Sequence, residues 1–291
     1  MILVTGAAGQ NGRAVVAEFA SRGVPVRALV RDANRADGLR GLAGVEITEG
    51  DMLRPRTLGP ALDGVERALM ISSADATMVE AQCTFVDAAR ASGTRHVIKF
   101  SGLESGIGFN QQNFRYTRNH QQIERYLEAS GIAWTHLRPG QFMQVYLRES
   151  RAIATSGVLA LPAGHISLSP VDVLDIAQVA FHLLTTDGHE GRSYPMTGPQ
   201  ELTMTQIAAT ISLATGKPVT YTSITPQERK TAMLAAGVSA DVAEALYDQA
   251  VERLRHPRSA VSLQTHAALG VKPTTFAEFA SRHAATFATS S

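Results

Sequence analysis

The chain has 291 residues, 44% of them hydrophobic and 18% charged, which is enough to bury a sizeable core without disulfides or structural metal. Its 27 lysines and arginines against 26 acids leave a formal charge of +1, so there is no electrostatic footprint for nucleic acid or an anionic membrane. The single cysteine, Cys83, excludes an internal disulfide and has no companions at metal-ligand spacing; it reads as a small buried hydrophobe in a protein of the reducing cytoplasm, with no metal.

In chain order, Met1-Ile2-Leu3-Val4-Thr5-Gly6 enters a strand with no basic segment or cleavage site, so a secretory leader is not expected. Short β-branched runs then alternate with helical periodicity. Strands are predicted at Ile2 to Thr5, Val26 to Val30, Val45 to Thr48, Arg67 to Ser72, His96 to Ser101 and Ala133 to Arg138, which reads as an α/β, doubly wound parallel sheet. Apolar stripes mark three crossover helices. The first is Val15, Val16, Phe19 and Ala20, the second Val79, Cys83, Val86 and Ala89, and the third Ile123, Tyr126 and Leu127, with Gly23, Gly93 and Gly131 as stops.

Beyond residue 150 strands become sparse, and helices are predicted at Thr203 to Thr215, Pro226 to Ala236, Ala240 to Arg255 and Thr275 to Phe287, separated by prolines. The last residues, Ala288 to Ser291, are expected to fray. The predicted organisation is a Rossmann-like dinucleotide-binding domain over residues 1–150 and a smaller, mostly helical substrate lobe over 151–291 with strands returning to the main sheet, and a substrate cleft between them. Trp134 reads as core, and His165, His182 and His256 show no metal-ligand spacing. The amphipathic helices of the first half would serve a homodimer or a buried core equally well.

The strongest local signal is Gly6-Ala7-Ala8-Gly9-Gln10-Asn11-Gly12, standing between an apolar strand and an amphipathic helix. Gly6 would permit the tight turn, Gly9 a close backbone approach to a pyrophosphate, and Gly12 close packing of helix on sheet. Free amides at the helix start, with the helix dipole, favour a diphosphate. Ala8, Gln10 and Asn11 line the same turn. At the end of the second strand Arg31 is placed to pair with an adenosine 2′-phosphate, which favours NADP(H) over NAD(H). Asp32 stands one residue late for the ribose-binding role of an NAD enzyme. Asp51 and Met52 are placed to flank adenine, and Ser72 and Ser73 to pass beneath the nicotinamide ribose.

These residues resemble the atypical short-chain dehydrogenase/reductases of the NmrA-like group, which includes bacterial NADPH-dependent quinone reductases and triphenylmethane dye reductases. The resemblance also rests on Lys99-Phe100-Ser101-Gly102, on His120 and Glu124, on Ser130-Gly131-Ile132 and on Leu137-Arg138-Pro139-Gly140. It extends through Val171-Asp172-Val173-Leu174-Asp175-Ile176-Ala177 and Tyr194-Pro195-Met196-Thr197-Gly198-Pro199. It implies a Rossmann-like fold, NADP(H) binding and reduction of a quinone-like or conjugated aromatic small molecule; other members bind the dinucleotide only as redox-sensing regulators.

Typical short-chain reductases place a lysine four residues after the catalytic tyrosine, where its charge lowers the phenol pKa. The comparable stretch, Tyr116-Thr117-Arg118-Asn119-His120, has histidine there. Tyr116 and His120 are the candidate catalytic residues, sharing one helical face, with Ser101 as a substrate-orienting hydroxyl. Gly140, in the turn after the sixth strand, is an expected cofactor contact. Phe142, Met143 and Tyr146 are candidates to hold a flat conjugated ring, a pattern that plain packing would also produce.

Overall fold

The structure is a computed structural model that describes residues 1–289. The chain runs β1 (Ile2–Val4), α1 (Gln10–Ser21), β2 (Val26–Val30), β3 (Val45–Glu49), α2 (Leu58–Leu62), β4 (Arg67–Met70), α3 (Met78–Ala91), β5 (His96–Phe100), α4 (Arg115–Glu128) and β6 (Ala133–Pro139). It continues with α5 (Ser150–Ser156), β7 (Val158–Leu161), β8 (Ser167–Leu168), α6 (Val173–Thr185), β9 (Arg192–Met196), β10 (Leu202–Thr203), α7 (Met204–Thr215) and β11 (Thr220–Ser223). Four helices and a short turn of helix follow: α8 (Pro226–Ala235), α9 (Ala240–Arg255), α10 (Gln264–Leu269), α11 (Phe276–Arg282) and α12 (Ala284–Ala288). Ala288 thus closes a helix, while Ser290 and Ser291 lie outside the described residues.

All six strands predicted in the first half are present, each within two residues of its expected ends. They form a seven-stranded sheet in the order β3-β2-β1-β4-β5-β6-β9, with the pairings among β1 to β6 all parallel. The order reverses direction between β1 and β4, the switch point where such sheets take ligands at the carboxyl ends of their strands.

The chain divides into two compact units, and the division differs from the predicted one near residue 150. Unit one comprises 1–102, 118–138 and 173–194; unit two comprises 103–117, 139–172 and 195–291. The reason is that α6 and the start of β9, late in sequence, return to complete the first unit. In that unit, α1 packs Phe19 on Phe181 of α6, ring centroids 4.8 Å apart. The opposite face is covered by a core that includes Leu3, Phe85, Val97, Ile123 and Leu127.

Two helical stripes differ in detail from the predicted ones. On α3 the buried line includes Met78, Ala81, Phe85 and Ala89, while Cys83 is only half-buried. On α4, Tyr126 is exposed and donates its hydroxyl to Asp87. Trp134 is half-buried and stacks on His136 at 4.4 Å.

Unit two holds two small sheets, β7 with β11 in parallel and β8 with β10 antiparallel. Three of its helices, α7, α8 and α11, start where the sequence supplies capping boxes, at Thr203 with Gln206, Thr225 with Glu228 and Thr275 with Glu278, each satisfying two otherwise orphaned amides. The helix predicted from Thr275 to Phe287 is broken at His283 into α11 and α12. Among the described residues no helix is long and apolar enough to cross a membrane.

Candidate active site

The turn after β1 is built by three glycines under different constraints. Gly6 has φ of +58°, and a β-carbon there would stand 2.9 Å from the Ile71 carbonyl oxygen. A β-carbon on Gly12 would stand 2.3 Å from Gly6 O and 2.7 Å from Ala7 Cα, so backbone alone demands glycine at both positions. Gly9 is different. Its backbone is extended, and a β-carbon would meet only Gly6 O at 3.2 Å. That contact is tight but needs a shift of only a few tenths of an ångström, so packing presses less on Gly9 than on Gly6 and Gly12, and a ligand against the amides would press more.

Thr5 holds this corner open. Its hydroxyl donates to Ile71 O at 2.6 Å and accepts from Ile71 N–H at 2.8 Å, tying the ends of β1 and β4 together before their loops part. Sequence reasoning passed over this residue. Helix α1 then begins at Gly9 without a side-chain cap, leaving its first-turn amides and dipole unneutralised. Asn11 Oδ1 is buried without a partner among the described residues. An uncapped helix start, an orphaned amide oxygen and a glycine backbone open to close approach together fit the diphosphate of a dinucleotide.

Around the end of β2 the charges are already sorted. Asp32 accepts from Asn34 N–H at 2.9 Å, and Glu49 accepts from Ala33 N–H at 2.7 Å, so both carboxylates serve a backbone turn. Arg31 is exposed and makes no hydrogen bond or ion pair among the described residues. Asp51 accepts from Leu53 N–H and stands 3.7 Å from Arg54. Met52 is 8% exposed and belongs to the core with Leu29 and Leu58, so its side chain packs inward rather than lying open beside adenine. Ser72 accepts from Gln82 Nε2 at 2.7 Å, and Ser73 is exposed.

The polar cluster at the end of β5 holds the least expected feature. Every residue of β5 is buried, including Lys99, which is 0% exposed. Its ammonium runs to the carboxyl end of the strand, donating to Phe100 O at 2.8 Å and lying 2.9 Å from His120 Nδ1. Burial pulls the Lys99 pKa down to about 7, with Glu124 and Cys83 opposing. Burial, and then the neighbouring ammonium, hold His120 well below the ordinary histidine value. The ring of His120 lies against Gly102, where a β-carbon would come 3.1 Å from Nε2.

Beside this pair, Ser101 Oγ donates to Glu124 Oε1 at 2.6 Å, and Arg138 forks onto both oxygens of the same carboxylate at 2.8 and 2.7 Å. Burial alone would raise Glu124, but the hydrogen bonds from Arg138 and Ser101 outweigh it and keep the group below the usual carboxylate range. The Ser101 hydroxyl is therefore engaged with an acid of its own chain. Glu124 and Arg138 entered the sequence reading only through the family resemblance, and Lys99 carried no assigned role there. The available signal was a lysine inside an otherwise apolar strand of a sheet covered on both faces, where it must find a partner.

The remaining candidates belong to the second unit. Tyr116 packs with Phe109, Phe114 and Ala245, under the Arg115 guanidinium, as a side chain of a small apolar cluster. Gly140 donates its N–H to Met196 O at 2.9 Å. Phe142 is half-buried. Met143 and Tyr146, expected against a substrate ring, are instead 0% exposed core residues. Tyr146 meets Phe276 edge-on at 5.4 Å, and its hydroxyl accepts from Gln141. The packing alternative allowed by their spacing is the one realised for these two.

A surface hollow of about 640 Å³ lies beside Gly93, Thr94 and Gly131, at the amino ends of β5 and β6. That is the edge opposite the phosphate cradle.

Comparison with known proteins gives one family. The profile of the NmrA-like family matches residues 1–280. The NAD(P)H azoreductase of Xenophilus azovorans is 36% identical over 287 residues, covering 99% of each chain. The NADPH-dependent quinone oxidoreductase of Escherichia coli, solved with NADPH, is 29% identical with a TM-score of 0.84, covering 97% of this chain and 99% of that one. The triphenylmethane reductase of Citrobacter sp., solved with NADP(H), is 27% identical with a TM-score of 0.82, covering 98% and 100%.

Proposed function

The chain belongs to the NmrA-like family, and on that premise we propose that it is an NAD(P)H-dependent reductase that prefers NADPH and acts on quinone-like, azo or other conjugated aromatic acceptors. The observation that carries the reading is the Gly6 to Gly12 turn, where the uncapped amides of α1 and the orphaned Asn11 Oδ1 meet a glycine backbone open to close approach. The named activities of the azoreductase, quinone oxidoreductase and triphenylmethane reductase relatives support the reaction class.

When bound, the reduced nicotinamide supplies a hydride, and the protein's part is orientation and exclusion of water. Gly6, Gly9, Gly12 and the first-turn amides of α1 would hold the diphosphate. Arg31 would pair with the 2′-phosphate, since its guanidinium has no partner among the described residues while the carboxylates nearby are occupied. Ser72, at the end of β4, and His120, over the end of β5, stand on the side of the switch point where the nicotinamide half would run.

The test is direct. Pure protein with NADPH and a panel of quinones and azo dyes should show acceptor-dependent loss of nicotinamide absorbance. A protein that binds NADPH yet does not oxidise it in the presence of any of these acceptors would instead be a dinucleotide sensor of the kind found elsewhere in the family.

A further inference from the structure

We propose that Lys99 is a positioning residue that supplies a proton through His120, from Nζ to Nδ1 while Nε2–H is donated to the acceptor, so that the pair serves substrates needing a proton as well as a hydride. The inference rests on the reductase reading above. It comes from a juxtaposition within the first unit. Lys99 Nζ lies 2.9 Å from His120 Nδ1, and the opposite ring nitrogen, Nε2, has no hydrogen-bond partner among the described residues.

Neither residue suffices alone. Lys99 is wholly enclosed and cannot touch an acceptor. His120 cannot wait as an imidazolium beside a buried ammonium, and a neutral imidazole acting by itself is a very weak acid. Coupled, they avoid both difficulties. With Lys99 charged, Nδ1 must accept and the ring proton sits on Nε2. As the acceptor takes a hydride from the nicotinamide, and with it two electrons, the anionic oxygen or nitrogen so formed takes the Nε2 proton. The Nδ1–H bond forms as an Nζ–H bond breaks. The ring stays neutral throughout, Lys99 ends as an amine, and solvent restores its proton.

The acidity available to the acceptor is then that of Lys99, near neutrality, where general acids are most effective. The groups facing the pair are Glu124 on α4, which favours the ammonium, and Cys83 on α3; Arg138 and His136 on β6 act on Glu124.

Two measurements decide. Nitrogen-15 spectra of the histidine rings, with His120 assigned through His120→Asn, should show the neutral ring passing from the Nε2–H to the Nδ1–H tautomer as pH rises through about 7, with no imidazolium. This uses the unaltered chain, so it stands even if a variant fails to fold. A single tautomer from pH 6 to 9 overturns the relay.

The second compares acceptors for Lys99→Met. A cationic triphenylmethane dye is neutralised by hydride alone, whereas a quinone needs hydride and proton. The variant should lose about 10²-fold or more in kcat on the quinone, and at least tenfold less than that on the dye. Equal losses on both overturn the relay. No NADPH oxidation by the wild type with either acceptor overturns the reductase reading itself, which the ring titration does not touch.

Discussion

Replacing Gly9 by alanine separates a ligand cradle from a merely structural turn. Gly9 has φ −79° and ψ 169°, a conformation any residue adopts, and its added methyl would touch only Gly6 O at 3.2 Å. In the free protein an alanine N-cap costs about 1 kcal/mol relative to glycine, while restricting the unfolded chain returns about 0.4–1 kcal/mol. With the small shift that Gly6 O must make, the net change should stay within about 2 kcal/mol, a melting shift of no more than about 8 °C. In the complex the methyl occupies the face of the amides that a diphosphate must approach, lengthening charge-assisted hydrogen bonds worth about 1.5–3 kcal/mol each. Loss of one such bond predicts about a 10- to 100-fold weaker NADPH Kd. Gly12→Ala, by contrast, must move backbone at 2.3 and 2.7 Å and should lower both stability and affinity. Fluorescence titration with NADPH alongside thermal melting measures both quantities. A Gly9→Ala protein that melts normally and binds NADPH within threefold of wild type would refute the cradle.

Arg31→Ala should weaken NADPH about 10- to 100-fold through the lost charge-assisted contact and leave NADH within about threefold; equal losses on both dinucleotides would remove the basis for NADPH preference. The Lys99 pKa, near 7 in the fold against 10.5 ordinarily, means that between these values the unfolded chain binds a proton the native one does not, so stability rises with pH across that window. Equilibrium unfolding should show wild type gaining on Lys99→Met by on the order of 5 kcal/mol from pH 7 to 10.5, and a flat difference would show that Lys99 is not held as proposed. Glu124→Ala leaves the Arg138 fork and the Ser101 hydroxyl without their acceptor and should cost about 3 kcal/mol, with Glu124→Gln costing less; denaturant titration of the two variants that found both near wild type would contradict the buried ion-pair reading.

What could be read from the sequence follows from how local each cause is. The three glycines were legible because a positive φ at Gly6 and a backbone contact at Gly12 are settled within seven residues. The six strands of the first half were legible because a parallel sheet covered on both faces writes continuous apolar runs. Strands β8 and β10, two residues each, carry no pattern of their own and exist only by pairing Leu168 with Leu202. The boundary near residue 150 misplaced α6 because nothing in its periodicity says that Phe181 meets Phe19. Met143 and Tyr146 show the same limit from the other side, since a methionine and aromatic set at helical spacing looks alike whether it faces a ligand or, as here, Phe276.

The cluster at the end of β5 is where a sequence motif and its chemistry part company. A tyrosine and lysine four residues apart announce a cation because both stand on one helix, and their contact is a matter of pitch. Here the helix position holds His120, and the cation arrives from Lys99, 21 residues earlier, on a different element. That contact needs β5 and α4 packed together, with no side chain on Gly102 to displace the ring. A histidine at position 120 therefore does not mean that the site lacks a buried positive charge. The charge stands one residue further from any acceptor, behind a ring that can pass a proton on but cannot hold it, and this makes the response of quinone and cationic-dye turnover to Lys99→Met the measurement that distinguishes a relay from a helix whose lysine was simply lost.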